Sequence, residues 1–257
     1  MSYFSYFFSL IILLLIFSCA PENLENTNNK KGYQIITKTY KGKSNPCPDE
    51  KGSCAEINLI IPFIEKNEKA DFINQDILKE IEGIFENLSP SLTSLKDIPL
   101  KIDSFISQHE RFSKEIEFPQ NWTFNVHYKL LENNKNSLSI LINTEGYLGG
   151  AHPFNEVRIL SYDIVNEKRL QIIDFIKDEN KLKDLIVNEF RRKRNLSASY
   201  NLKEVGFYSN EWPIPKNFAL LSQGLYLVYN AYEIGPYVLG STELLIPFDE
   251  IKPLLKN

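Results

Sequence analysis

The chain has 257 residues, a formal net charge of −4, three cysteines and three histidines. Its basic residues are scattered apart from one run, Arg191-Arg192-Lys193-Arg194, so the broad cationic surface of a nucleic-acid-binding protein is excluded. No second Cys or His pair at ligand spacing accompanies Cys47 and Cys54, so neither a metal nor any other cofactor is expected.

Residues 1–18 contain no charged side chain, and the apolar centre at 10–17 has the length of a signal-peptide core. A membrane span needs about 20 apolar residues; counting back through Phe7, Tyr6 and Phe4 lengthens the segment, which makes a spanning helix the rival reading. The segment stops at Ile16-Phe17-Ser18-Cys19, a pattern that resembles the lipobox of bacterial lipoproteins, although the first nine residues lack Lys and Arg. Residues 1–18 therefore read as a lipoprotein signal peptide, Cys19 as the lipidated residue, and 19–32 as a flexible tether. Several acyl chains on Cys19 would hold the protein to a membrane, where one chain alone binds marginally. The expected location is the bacterial cell envelope, outside the cytoplasm. Ala20, standing where inner-membrane lipoproteins often carry aspartate, points to an outer membrane.

With Cys19 lipidated, Cys47 and Cys54 form an even pair in PCPDEKGSC, in a compartment where disulfides persist. A bridge is expected, with a metal half-site as the rival, and closing so short a loop stabilises by roughly 2 to 3 kcal/mol on the chain-entropy account. It would staple a hairpin, because 33–41 and 55–62 both alternate apolar and polar residues as strands do. Helical spacing follows at 70–87 and 99–114, the second with Ile102, Phe105, Ile106, His109 and Phe112 on one stripe. Strands are then predicted at 122–131, 138–143, 156–164 and 169–172. A third helix at 180–194 is capped by Asp178 or Asn180, and its terminal basic run complements the helix dipole. It is also a candidate contact for anionic headgroups. After an irregular stretch at 196–215 come strands at 218–221, 225–229 and 244–246, and a closing helix at 248–255. Isolated helices among hairpins mean an α+β fold, with antiparallel sheets and a few packed helices.

Two stretches, ILINTEGYLGGAHPFNE at 140–156 and LYLVYNAYEIGPYVLGSTELLIPFDEIKPLL at 225–255, together with the cysteine-bearing hairpin, resemble the RsiV/PdaC-like family of extracytoplasmic domains. That family includes the lysozyme-sensing ectodomain of an anti-sigma factor and the accessory region of a peptidoglycan deacetylase. The resemblance implies two consecutive subdomains, a PdaC-like one at 33–165 and an RsiV-like one at 166–257. The sigma-binding segment and the deacetylase's metal-binding catalytic domain have no counterpart in this sequence, so the expected function is a binding or sensing module without catalysis. The implied partners are a lysozyme-like protein or peptidoglycan.

Candidate site residues lie in the same two stretches. Gly149 and Gly150 supply positive-φ conformations and Pro153 fixes the exit from the turn. His152 reads as a turn residue, its imidazole bonded to nearby backbone or packed beside Tyr147, with contact to a partner as the other reading. Tyr232, Pro236 and Tyr237 sit in a loop that interrupts an apolar strand, and tyrosines in a stiff loop give contact area at low entropic cost. Gly149, Gly150, His152, Tyr232, Pro236 and Tyr237 are thus the expected ligand-binding set, and no catalytic residue is assigned. The alternative is an envelope hydrolase working through a carboxylate pair, for which Glu145 and Glu156 are the first candidates. His109 is expected in the core and His127 on a solvated strand face.

Overall fold

The computed structural model describes residues 32–45, 47, 53–65, 70–85, 91–118 and 120–256. The expected signal peptide, the lipidation site Cys19 and all of the tether except Gly32 lie outside the described residues. Among the described residues, no helix is long and apolar enough to cross a membrane.

Strands β1 (Ile35–Lys43) and β2 (Ala55–Ile64) form the first hairpin, and Cys47 and Cys54 are bridged at its turn with Cα atoms 5.3 Å apart. Two helices follow, α1 (Ala70–Ile84) and α2 (Ile98–Glu115), then β3 (Trp122–Asn133), β4 (Ser137–Tyr147), β5 (Phe154–Asp163) and the two-residue β6 (Lys168–Arg169). All six strands make one sheet in chain order. The fold is α+β, as the sequence reading expects. One pairing differs from the antiparallel pattern: β2 and β3 run parallel, with Ile57 opposite Phe124. Parallel neighbours need a long crossover, and α1 with α2 supplies it.

That crossover decides which face of the sheet is dry. Ile57, Leu59, Ile61, Phe124, Val126, Ile140, Ile142, Leu160 and Tyr162 alternate along their strands onto one face. There they pack with Ile73, Ile77 and Ile81 of α1 and Ile102 and Phe105 of α2. His109 sits at the edge of this core, 2% exposed, with its ring edge-on to Trp122 and Nε2 3.1 Å from the Gln120 carbonyl. His127 is exposed on the opposite face.

Beyond β6 the chain forms α3 (Ile172–Phe175), α4 (Glu179–Lys193), β7 (Asn217–Leu221), β8 (Gly224–Tyr229), β9 (Thr242–Pro247) and α5 (Phe248–Ile251). The α3 turn lies where the sequence reading continues a strand to 172; Asp174 folds back to accept from the Gln171 backbone N–H and starts a helix instead. Asp178, rather than Asn180, caps α4 by accepting from Lys181 N–H at 3.0 Å. The basic run at its end is engaged locally: Arg192 grips Glu189, and Lys193 donates to the Glu243 carbonyl. The closing helix is shorter than expected because α5 gives way to a 3-10 turn (Lys252–Leu254) that contains Pro253.

The antiparallel sheet β7-β8-β9 buries Leu225, Leu227, Tyr229, Leu244 and Ile246 against Leu182, Ile186 and Phe190 of α4. Its other face presents Ala219 and Val228 to Val157 and Ile159 of β5. Because β6 covers only the end of β5, the rest of that strand's outer edge needs partners. Two asparagines provide them. Asn230 accepts from Val157 N–H and donates to its carbonyl, and Asn217 accepts from Ile159 N–H.

Candidate functional site

The small sheet covers only part of the helix-free face of the large one. At the other end of that face β4 runs on to Tyr147, four residues beyond the end predicted from the sequence. The extension is possible because Gly146 lies against the β3 backbone; a Cβ there would stand only 2.1 Å from the Thr123 carbonyl oxygen. Strand register then builds two rows across the sheet. Asn125 is opposite Glu145, which is opposite Asn155, and Thr123 is opposite Tyr147. Directly opposite residues share a face at about 5 Å between Cβ atoms. These five side chains, with Pro153 and Tyr237, line a cleft of about 370 Å³.

Two loops meet at its wall. Gly149 adopts φ +77° and turns the chain, while the Tyr147 hydroxyl reaches the Gly150 carbonyl at 2.8 Å and the side chain of Gln120. The turn delivers His152 onto the ring of Tyr237, stacked at 3.8 Å and 18°. His152 Nδ1 is 3.0 Å from the Pro153 carbonyl and Nε2 is 3.1 Å from the Tyr232 hydroxyl. A carbonyl only accepts, so the partners assign the hydrogen to Nδ1, and Nε2 of the neutral ring accepts from the tyrosine. Tyr237 donates to the same Pro153 carbonyl at 2.8 Å. Tyr232 holds φ +72°, a left-handed conformation that costs a side-chain-bearing residue about 1 to 3 kcal/mol and clusters at functional sites.

Three of the six expected ligand-binding residues, His152, Tyr232 and Tyr237, are therefore brought together from positions 80 or more apart in the chain. Tyr237 lines the cleft, while His152 and Tyr232 stand behind it as its support. His152 bonds nearby backbone at the Pro153 carbonyl, one of the two alternatives expected of it, and its ring packs on Tyr237 instead of beside Tyr147 because the turn projects it towards the second loop. The glycine expectation needs correction. Positive φ belongs to Gly149 alone of the glycine pair, and a Cβ on Gly150 would meet nothing within 4 Å.

The carboxylate pair fails on geometry. Glu145 is opposite Asn155 and Glu156 is opposite Thr144, so alternation sends the two carboxylates to opposite faces of the sheet. Glu156 ion-pairs with Arg158 on the helix side at 3.1 Å. Among the described residues, no three His, Cys, Asp or Glu side chains gather where they could share a metal ion. Thr123, Asn125 and Asn155 went unnoticed in the sequence. For Thr123 and Asn125 the signal was the polar alternation at one end of β3, which reads equally well as a solvated strand face; Asn155 lies at the start of β5.

Residues 49–155 match the family described as Deacetylase PdaC, and residues 173–249 match a family of unknown function, DUF3298. Peptidoglycan-N-acetylmuramic acid deacetylase PdaC from Bacillus subtilis (strain 168) is 25% identical over 137 residues, which make up 52% of this chain and 29% of the deacetylase. The chain thus spans less than a third of that enzyme's length. Two crystal structures of DUF3298 family proteins share the fold. The one from Bacteroides fragilis NCTC 9343 has a TM-score of 0.72 at 18% identity, covering 89% of this chain and 96% of its own. The one from Pseudomonas aeruginosa PAO1 scores 0.65 at 17% identity, covering 88% and 96%. The chain is thus similar to PdaC over 49–155, which holds β2 to β4, and to DUF3298 over 173–249, which holds the second sheet.

Proposed function

We propose that the protein is a cell-envelope binding module, tethered through a lipidated Cys19, that captures cell-wall glycan in this cleft without cleaving it. One observation carries the reading: among the described residues, the side chains of Thr123, Asn125, Glu145 and Asn155 stand beside the tyrosine wall bonded to no other side chain and to no backbone group. Amides and a carboxylate both bridge sugar hydroxyls, and an aromatic ring packs against the apolar face of a pyranose. Similarity to a peptidoglycan deacetylase supports the same ligand class. The separation of Glu145 from Glu156 argues against glycoside cleavage by that pair.

Capture of purified sacculi tests the reading. Tyr237→Ala and Asn125→Ala should each weaken capture by about 1 kcal/mol or more, roughly fivefold, with the fold retained. Unchanged capture by both variants, or release of soluble saccharide from the sacculi, overturns it. The anchor has its own test: Cys19→Ala should abolish labelling by a palmitate analogue.

A protein ligand of the lysozyme type is the second reading. It is favoured by the apolar rim, where Val238 is 85% exposed, Tyr232 56% and Leu148 41%. Val238→Asp should abolish binding of lysozyme on this reading and leave sacculus capture intact on the first.

A further inference from the structure

We infer that the saccharide taken by the cleft carries a free amine, and that Glu145 selects it. The inference rests on the glycan reading above and names the ligand's chemistry.

Glu145 is the centre of the Asn125–Glu145–Asn155 row, with an amide on either side. It is half-buried in the floor of the cleft. Among the described residues its carboxylate is bonded to nothing. Other carboxylates on this fold are treated differently. Asp76 and Glu80 hold Arg169, Glu82 holds the buried Lys101, and Glu156 holds Arg158. Asp174 holds Lys168, and Glu189, itself 6% exposed, holds Arg192. The half-buried Asp97, Glu132 and Asp163 lack a cation but are met by N–H or amide donors of Thr93 and Ser94, of Asn134, and of Val165 and Asn166; among the described residues the Glu145 carboxylate has neither cation nor donor.

The neighbours explain what such an unmatched charge selects. Asn125 and Asn155 each offer an amide donor pair and an acceptor, and Thr123 offers a hydroxyl. That set already satisfies the hydroxyls and N-acetyl group of a neutral sugar. An ionised carboxylate adds acceptor capacity only, and it adds negative potential inside a concave site. A neutral sugar gains little from that potential. A protonated amine gains a charge-assisted bond, about twice as strong as a neutral one. An anionic substituent directed at the same point is repelled. The titratable group facing Glu145 from the next strand is His127, one step along the same face beside Asn143, and no cation stands across from it. Tyr237, backed by the stacked His152, stands at the side of the cleft, where its ring can pack a sugar.

Calorimetric titration of the full-length protein with two defined probes tests this, at low salt and at a pH where the sugar amine is charged. The probes are the tetramer of glucosamine and the tetramer of N-acetylglucosamine. The glucosamine tetramer should bind about tenfold more tightly, with the preference shrinking as salt is raised. In Glu145→Gln the preference should vanish, while the thermal melt stays unchanged and confirms the fold. Equal affinities in the native protein, or a preference that survives Glu145→Gln, overturns the inference and leaves the glycan reading standing. Capture of sacculi with neither tetramer bound does the same. If neither sacculi nor tetramers bind, the glycan reading and this inference both fall.

Discussion

Within a few residues, one face of one sheet changes from sealed interface to open cleft. On β5, Val157 is 7% and Ile159 3% exposed, pressed against Ala219 and Val228 of the small sheet. Two positions earlier on the same face, Asn155 is exposed in the cleft. The chemistry follows the boundary. Where a second sheet docks, the outward-facing side chains are apolar or, like Ser161 on the Phe218 carbonyl, bonded to that sheet, and the strand edge is bonded by borrowed asparagines. Where nothing docks, they are amides, a hydroxyl and a carboxylate. The same alternation that builds a sandwich core leaves an open polar cleft once the covering layer ends.

Substitutions on either side of that boundary should therefore behave differently, and the largest effect belongs to the sealed side. Ile159→Ala opens a cavity between the two sheets and should destabilise by about 2 to 5 kcal/mol in denaturant titration. Glu145→Gln, on the open side, should change stability by less than about 0.5 kcal/mol. Should Glu145→Gln destabilise as much as Ile159→Ala, the open side would be core and the distinction would collapse.

Asn230→Ala comes next. It removes the partner of both the Val157 N–H and its carbonyl, and an unmet backbone group costs about 1 to 3 kcal/mol when water cannot replace the bond. A loss near 2 kcal/mol is expected, with faster hydrogen exchange at Val157. Unaltered exchange there would mean that the small sheet holds without its asparagine.

The glycine pair sharpens the comparison on the open side. Gly149→Ala must place a Cβ at φ +77°, 3.2 Å from Trp122 Nε1, and should cost about 1 kcal/mol. Gly150→Ala meets open space and should be neutral in the same thermal melts. Equal costs would refute the assignment of the left-handed turn to Gly149.

The smallest effect is a pH dependence at the turn that leads into α2. Asp97 accepts from the Thr93 backbone N–H first, then from the Thr93 hydroxyl and the Ser94 N–H, and these bonds hold its carboxyl below the usual range. A depressed carboxyl stabilises above its unfolded value near pH 4, roughly, and that contribution is lost as pH falls through the lower folded value. Asp97→Ala should lower the melting temperature at neutral pH and converge with the native protein in acid. A constant gap across the acid range would show that the carboxylate's charge plays no part.

The sequence by itself determined the elements and their inward faces. Alternation in 55–62 and 122–131 marks strands, the spacing of Ile73, Ile77 and Ile81 marks a helix, and PCPDEKGSC is a turn that two cysteines can close. It also marked both stretches that form the cleft wall, because glycine, proline and clustered tyrosine stand out against apolar strands. These are local properties, set by the period of the backbone and the conformational limits of single residues. Tertiary structure decided the rest. Period two tells which residues share a face within a strand, but only pairing tells which strands are neighbours. Hence Asn125 and Asn155 meet Glu145, while Glu156, a plausible partner in the linear sequence, faces the helices. His152 finds Tyr232 and Tyr237 for the same reason: the small sheet docks on β5, and that docking depends on apolar contacts and asparagine bonds between segments far apart in the chain.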